Sequence, residues 1–250
     1  GSEMCIRDRF NWENADKIAN FCRSNGIKLR GHCLMWHAQI GKWMYQDEKG
    51  NLVSKEKLFQ NMKHHITAIM ERYKDVVYAW DVVNEAISDG GRPVMGQKPS
   101  PYRNSPLYQI AGDEFIKKAF IYAREADPNV LLFYNDYNAA DPQKRDRIYN
   151  MVKSMKEEGV PIDGIGMQGH YNIYGPSMED VDAALTKYST IVKHIHITEL
   201  DIRANEEMGG HLNFSREAGD ISQTVKLLQE DQYTRLFKIL RKHKDVVDNV

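Results

Sequence analysis

Apolar runs of strand length alternate with segments of helical period along nearly the whole chain. That alternation restricts its fold more than any other feature. Residues 27–36, 76–84, 130–137, 162–171 and 192–202 read as buried strands. Residues 10–25, 54–74, 113–126, 142–159, 178–189 and 222–244 carry apolar side chains at helical spacing. Residues 246–250 read as the start of one more strand. Strands separated by helices pair in parallel through crossovers, so the order of one helix, five βα units and a strand fragment predicts an α/β fold with one parallel sheet.

Local signals agree with these boundaries. Trp12, Ala15, Ile18, Ala19 and Cys22 form one stripe on the first helix, and Asn25-Gly26 stops it. Ser54 can cap the second helix, with Leu58, Met62, Ile66, Ile69 and Tyr73 facing inward. Asp141-Pro142 opens a later helix and Gly159 closes it. Residues 88–106 form a Gly/Pro-rich loop, longer than the roughly 12–15 residues beyond which a loop calls for a functional reason. Gly209-Gly210 lies in a polar excursion.

Composition removes several classes of function. The 250 residues are 42% hydrophobic, enough for one large domain, and no linker divides them. The formal net charge of −1, with both signs mixed throughout, argues against nucleic acid as a partner. No apolar run approaches the roughly 18 residues of a membrane-spanning helix. Cys5, Cys22 and Cys33 make neither a paired framework nor a zinc spacing; free thiols and a single disulfide both remain compatible. Residues 1–9 have no period, begin like a tag-cleavage scar, and are set aside as vector or assembly sequence, leaving 10–250 as the domain. There is no secretory signal.

Two carboxylates occupy matching places. Glu85 closes the run Val76-Val77-Tyr78-Ala79-Trp80-Asp81-Val82-Val83-Asn84, and Glu199 closes Val192-Lys193-His194-Ile195-His196-Ile197-Thr198. In a (β/α) barrel such strand ends share one face, where catalytic residues gather. Glu85 alone is equally well explained as a glutamate at a helix N-terminus. Asn84 beside it suits a sugar hydroxyl. Glu199 and Asp201, two residues apart, should share a strand face and need donors nearby; His170 is a candidate. An ion pair at the rim is the alternative account of that cluster, and it fits less well. His32, Trp36, His37 and Gln39 surround another strand end, where aromatic faces and polar edges would make a sugar-binding wall. Trp43 extends that wall or belongs to the core. His194 and His196 suggest a metal, but packed strand histidines fit better, because no matching third ligand is apparent.

Five segments carry a resemblance. Arg30-Gly31-His32-Cys33-Leu34-Met35-Trp36-His37-Ala38-Gln39, Trp80-Asp81-Val82-Val83-Asn84-Glu85, Asn135-Asp136-Tyr137-Asn138, Gly166-Met167-Gln168-Gly169-His170 and Thr198-Glu199-Leu200-Asp201 resemble, in this order, the motifs of glycoside hydrolase family ten, the retaining endo-1,4-β-xylanases. The resemblance spans essentially all of residues 10–250. It implies a (β/α)8 TIM barrel, here incomplete, with strands three to seven and the start of strand eight. It implies Glu85 as general acid/base and Glu199 as nucleophile, and His170 and Asp201 as the group orienting that nucleophile. It implies His32, Trp36, Gln39, Asn84, Tyr137, Gln168 and His170 as substrate contacts. The family's first-strand Glu-Asn and Lys, its second strand and the tryptophan-bearing loop after strand eight have no counterpart. Gly41 stands where many members have proline.

The activity so implied is hydrolysis of internal β-1,4 bonds of xylan by double displacement, with no metal or organic cofactor. A monomer, secreted or cell-surface, is expected. Two alternatives stand beside it. One is a non-catalytic xylan-binding barrel fragment. The other is a related barrel glycosidase acting on β-glucan or mannan, since the same carboxylate pattern is shared widely.

Overall fold

The computed structural model describes residues 5–6, 9–90, 100–204 and 222–250. Strands β1 (Cys5–Ile6) and β2 (Arg9–Phe10) pair antiparallel ahead of helix α1 (Glu13–Ser24). On α1 the inward row is Trp12, Ala15, Ala19 and Cys22. Ile18, expected on that stripe, lies beside the row and is 56% exposed. Strand β3 (Leu29–Trp36) leads through a short 3-10 turn at Lys42–Met44 to α2 (Lys55–Tyr73). The Ser54 hydroxyl accepts from Lys57 N at 3.2 Å, and the five α2 residues expected inside are all buried. Each such side chain contributes about 1.5–3 kcal/mol by leaving water.

Next come β4 (Val77–Asn84), α3 (Pro106–Ala111), α4 (Glu114–Ala126) and β5 (Leu131–Asp136). Helix α3 begins at the last residue of the segment expected to be loop and fills the unassigned stretch before the helix expected at 113. Ser105 caps it and Pro106 occupies its first turn, a start signal that its six residues were too short to support with a period. Then follow α5 (Pro142–Glu157), β6 (Gly164–Met167), β7 (His170–Asn172), α6 (Met178–Tyr188), β8 (His194–Ile197), β9 (Asp201–Arg203), α7 (Gln223–Lys242) and β10 (Val247–Asn249). The Gly209-Gly210 excursion lies outside the described residues.

Six strands form one sheet in chain order, β3-β4-β5-β6-β8-β10, and every neighbouring pair is parallel. This is an arc of a (β/α) barrel holding the strands expected as three to eight. Strands this buried on both faces read as continuous apolar runs, which is why β4 and β5 were legible. Close packing inside the arc demands glycine at particular points. A Cβ on Gly31 would lie 2.2 Å from the Trp80 ring, and one on Gly166 would lie 2.3 Å from Asn135 Oδ1.

The two longest expected strands are each broken. Residues 162–171 divide into β6 and β7, and residues 192–202 into β8 and β9. Gly169, at φ 82°, turns the first run out of the sheet. β7 and β9 then pair in parallel above the rim, with His170 opposite Asp201. Glu199 therefore lies in the excursion between β8 and β9, and does not share a strand face with Asp201.

The arc's interior has a polar layer below the rim. Arg30 makes a two-pronged ion pair with the fully buried Asp81, one arm at 2.6 Å. Its Nε donates to His196 Nδ1 at 3.2 Å. His196 packs on Phe133 with ring centroids 4.1 Å apart and bonds Asp248 through Nε2 at 3.0 Å; His194 reaches the same carboxylate at 2.6 Å. Burial, then the Arg30 charge, push His196 down to about 4. These are packed strand histidines. Trp43 packs against the core beside His65, so it is not part of a wall at the rim. Cys22 and Cys33 are unpaired. No described helix is long and apolar enough to cross a membrane.

Candidate active site

The C-terminal ends of β3, β4, β5, β6 and β8 converge on one hydrogen-bonded rim. The register sets it up: Trp36 is opposite Asn84, Asn84 opposite Asn135, and Asn135 opposite Gly166. Glu85 follows Asn84 directly and has φ 56°, a left-handed backbone that is rare for a side chain of its size. Such a conformation costs on the order of 1–3 kcal/mol and persists where its surroundings enforce it. Both carboxylate oxygens of Glu85 are bonded. Trp36 Nε1 donates to Oε2 at 2.9 Å, and Gln168 Nε2 donates to Oε1 at 3.0 Å.

Glu199 is held by different partners. His170 Nε2 lies 3.1 Å from its Oε2, and Asn135 Nδ2 donates to its Oε1 at 3.2 Å. The other His170 nitrogen, Nδ1, meets Asp201 Oδ1 at 2.5 Å, and Arg203 Nε donates to Asp201 Oδ2 at 2.9 Å. With a carboxylate on each ring nitrogen, His170 is arranged to donate from both as imidazolium. Its pKa is raised first by the bond to Glu199; burial opposes the shift and Asp201 adds to it. Burial works against the charge on Glu199. The His170 bond, the His32 charge and the Asn135 bond outweigh it and hold the carboxyl below the usual glutamate range. His32 is also cationic. Burial opposes its charge, but Asp81 at 2.9 Å and Cys33 push it up to about 10.

The two glutamates belong to one network. Gln168 reaches Asn84 Oδ1 at 3.3 Å as well as Glu85, and Asn135 donates to Asn84 Oδ1 at 3.0 Å as well as to Glu199. Thr198 Oγ1 fixes the Asn135 amide by donating to its Oδ1 at 2.8 Å. The amide nitrogen of Asn84 is buried and has no partner among the described residues, a donor left over for a ligand hydroxyl. The ring of Trp36 lies 6.1 Å from that of His32 and 6.5 Å from that of His37.

Ten side chains were expected here. His32, Trp36, Asn84, Glu85, Gln168, His170, Glu199 and Asp201 lie in this bonded rim or directly against it. Tyr137 sits one step outward, accepting from Arg103 Nη2 at 2.8 Å and donating to Asp89. Gln39 follows the end of β3 with its side chain exposed. Asn135 also joins the site; its place at the end of an apolar strand, level with Asn84, is the sequence signal for it. Arg103 was missed because it lies in the long loop and joins the site only when that loop folds back. Among the described residues no group of His, Cys, Asp or Glu side chains converges as a metal site. The charges of Glu199 and Asp201 are met instead by His170 and Arg203.

A barrel arc carrying two carboxylates on one rim, one held by an imidazolium and an amide and the other by an indole and an amide, matches the class of two-carboxylate barrel glycoside hydrolases. The model of Glycosyl hydrolase family 10 matches residues 3–250, and the chain belongs to that family. It is 60% identical over 247 residues to an endo-1,4-beta-xylanase/feruloyl esterase of Xylanibacter ruminicola, covering 96% of this chain and 34% of that protein. It is 39% identical over 241 residues to endo-1,4-beta-xylanase B of Paenibacillus barcinonensis, covering 96% of this chain and 69% of that one. Among solved structures, a psychrophilic family 10 endo-beta-1,4-xylanase superposes with a TM-score of 0.89 at 63% identity, covering all of this chain and 73% of its own. The fold is thus that of the family's (β/α)8 barrel. The chain spans about a third of the length of the Xylanibacter relative.

Proposed function

We propose that residues 10–250 are the catalytic portion of a retaining endo-1,4-β-xylanase, acting as a monomer on internal bonds of xylan. The contrast between the two glutamates carries this reading. Glu199, kept ionised by His170 and Asn135, suits a nucleophile that attacks the anomeric carbon. Glu85, held by the neutral donors Trp36 and Gln168, suits the acid that protonates the departing oxygen. In the second step Glu85 takes a proton from the water that releases the sugar. Retention requires the two carboxyl groups to approach to roughly 5–5.5 Å.

Asn84 offers its free amide to the sugar 2-hydroxyl, where a hydrogen bond strengthens as the transition state forms. His32, Trp36, Gln39, Tyr137 and Gln168 supply the remaining sugar contacts, and His170 with Asp201 orients the nucleophile. The test compares reducing sugar released from xylan, β-glucan and mannan by the purified chain and by Glu199→Ala. Release from xylan that stops in the variant is expected. Xylan binding without release would replace this reading with a binding remnant, and preference for glucan or mannan would reassign the substrate.

A further inference from the structure

The loop that begins at Glu85 returns to its own start before α3. Arg103 N donates to Ala86 O and Ser88 N to Pro101 O, both at 2.8 Å. The return sets the Arg103 side chain between two site groups. Its Nε donates to the backbone oxygen of Glu85 at 3.0 Å, and its Nη2 to the Tyr137 hydroxyl at 2.8 Å. Tyr137 is itself braced. Its hydroxyl bonds Asp89, which accepts from Lys144 Nζ at 2.8 Å, and that buried ammonium lies 3.4 Å from the Tyr137 ring centroid. Lys144 is held in turn by the fully buried Asp136 at 2.8 Å.

The backbone of Glu85 needs such support. Its N–H is fixed by Asn135 O at 3.0 Å, and the next turn by Ile87 N donating to the Tyr134 hydroxyl at 3.0 Å. The carbonyl between these points is turned out by the left-handed φ of 56°. A guanidinium is a charged, planar, two-armed donor, suited to hold that carbonyl and the tyrosine in one fixed relation.

We infer that Arg103 is a positioning residue for Glu85, its guanidinium locking the left-handed backbone so that the carboxyl meets the departing oxygen. The inference rests on the reading of Glu85 as the general acid. If the carboxyl is mislaid, proton delivery suffers and nucleophilic attack does not. Bonds whose leaving group needs a proton should then slow, while bonds to an acidic leaving group should not.

The experiment measures kcat/KM for phenyl and dinitrophenyl β-xylobiosides, which place the same kind of ring beyond the cleaved bond and differ in leaving-group acidity. Arg103→Met, Arg103→Lys and Glu85→Ala are compared with the parent. The ratio of the two substrates is independent of the folded fraction, so poor folding does not obscure it. Arg103→Met is expected to lose about a hundredfold on the phenyl glycoside and little on the dinitrophenyl one, with part of the loss restored in Arg103→Lys. Equal losses on both substrates, or none on either, overturn the assignment of Arg103 so long as Glu85→Ala shows the contrast. If Glu85→Ala lacks it too, the reading of Glu85 falls and the role of Arg103 falls with it.

Discussion

Glu85 and Glu199 end strands of the same sheet and share one amide network, yet their neighbourhoods differ in charge and in backbone. Glu199 faces His170, whose imidazolium is itself held by Asp201, and is pinned by Asn135. Glu85 sees an indole and an amide, both neutral, and sits on a left-handed backbone. Identical side chains acquire separate tasks from what surrounds them. Against burial, the bond from His170 and the charge of His32 hold the Glu199 carboxyl below the usual glutamate range. The other carboxyl accepts from two uncharged donors, one on each oxygen. The asymmetry comes from partners on several different strand ends, so neither environment is encoded by the glutamate alone.

Four substitutions probe that difference, from the largest expected effect to the smallest. Glu199→Ala should remove xylan hydrolysis by a factor on the order of 10⁵ or more, whereas Glu85→Ala should cost roughly 10²–10⁴ and spare substrates with acidic leaving groups. Rate measurements on both substrate types check this, and equal losses for the two variants on every substrate would dissolve the distinction.

His170→Asn should cost roughly tenfold to a hundredfold through misplacement of the nucleophile and move the acid limb of the pH profile. The direction follows from linkage. Glu199 has its folded pKa lowered, so its favourable interactions are present above its unfolded pKa and are lost as pH falls through the folded value. Losing His170 raises that folded value, so the acid limb of kcat/KM should shift upward. An unmoved limb would show that His170 does not set the charge on Glu199. His170 itself has a raised pKa, so its own contribution is complete below its unfolded pKa and fades as pH climbs through the folded one.

Trp36→Phe removes one neutral donor from Glu85 and leaves the Glu199 partners in place. A loss of about tenfold is expected, the upper end for a single neutral hydrogen bond, with the acid limb unchanged. A shifted limb would mean that the two neighbourhoods are not separable.

The parts of this design that could be read in advance are those fixed by local period. Leu58, Met62, Ile66, Ile69 and Tyr73 were legible because a capped, 19-residue amphipathic helix leaves few alternatives. Strands β4 and β5 were legible because burial on both faces makes an unbroken apolar run. The rim was harder. Apolar residues resume at Tyr171 and Ile202, beyond Gln168-Gly169 and Thr198-Glu199 where the chain leaves the sheet, so each run reads as a single strand. Only the positive φ of Gly169 marks the break in the first run. Asn135 was undervalued because an asparagine at a strand end reads first as a turn residue; its double donation depends on the register across three strands. Arg103 has no local signal, since its place depends on a loop closing over 18 residues to reach Glu85. At Ile18 the period was right in kind, but the helix is rolled a little further than the stripe suggested.

The glycine at position 166 has a consequence of its own. The amide of Asn135 fills the space where that residue's Cβ would stand, at 2.3 Å from the nearest oxygen. A single added methyl there would displace the amide that bonds both Asn84 and Glu199. Glu199 and Asn84 would lose their alignment in one stroke, with neither of them altered. The chemistry of this rim thus depends on a vacancy as much as on its ionisable groups, and an inventory of reactive side chains would overlook the position most able to silence them.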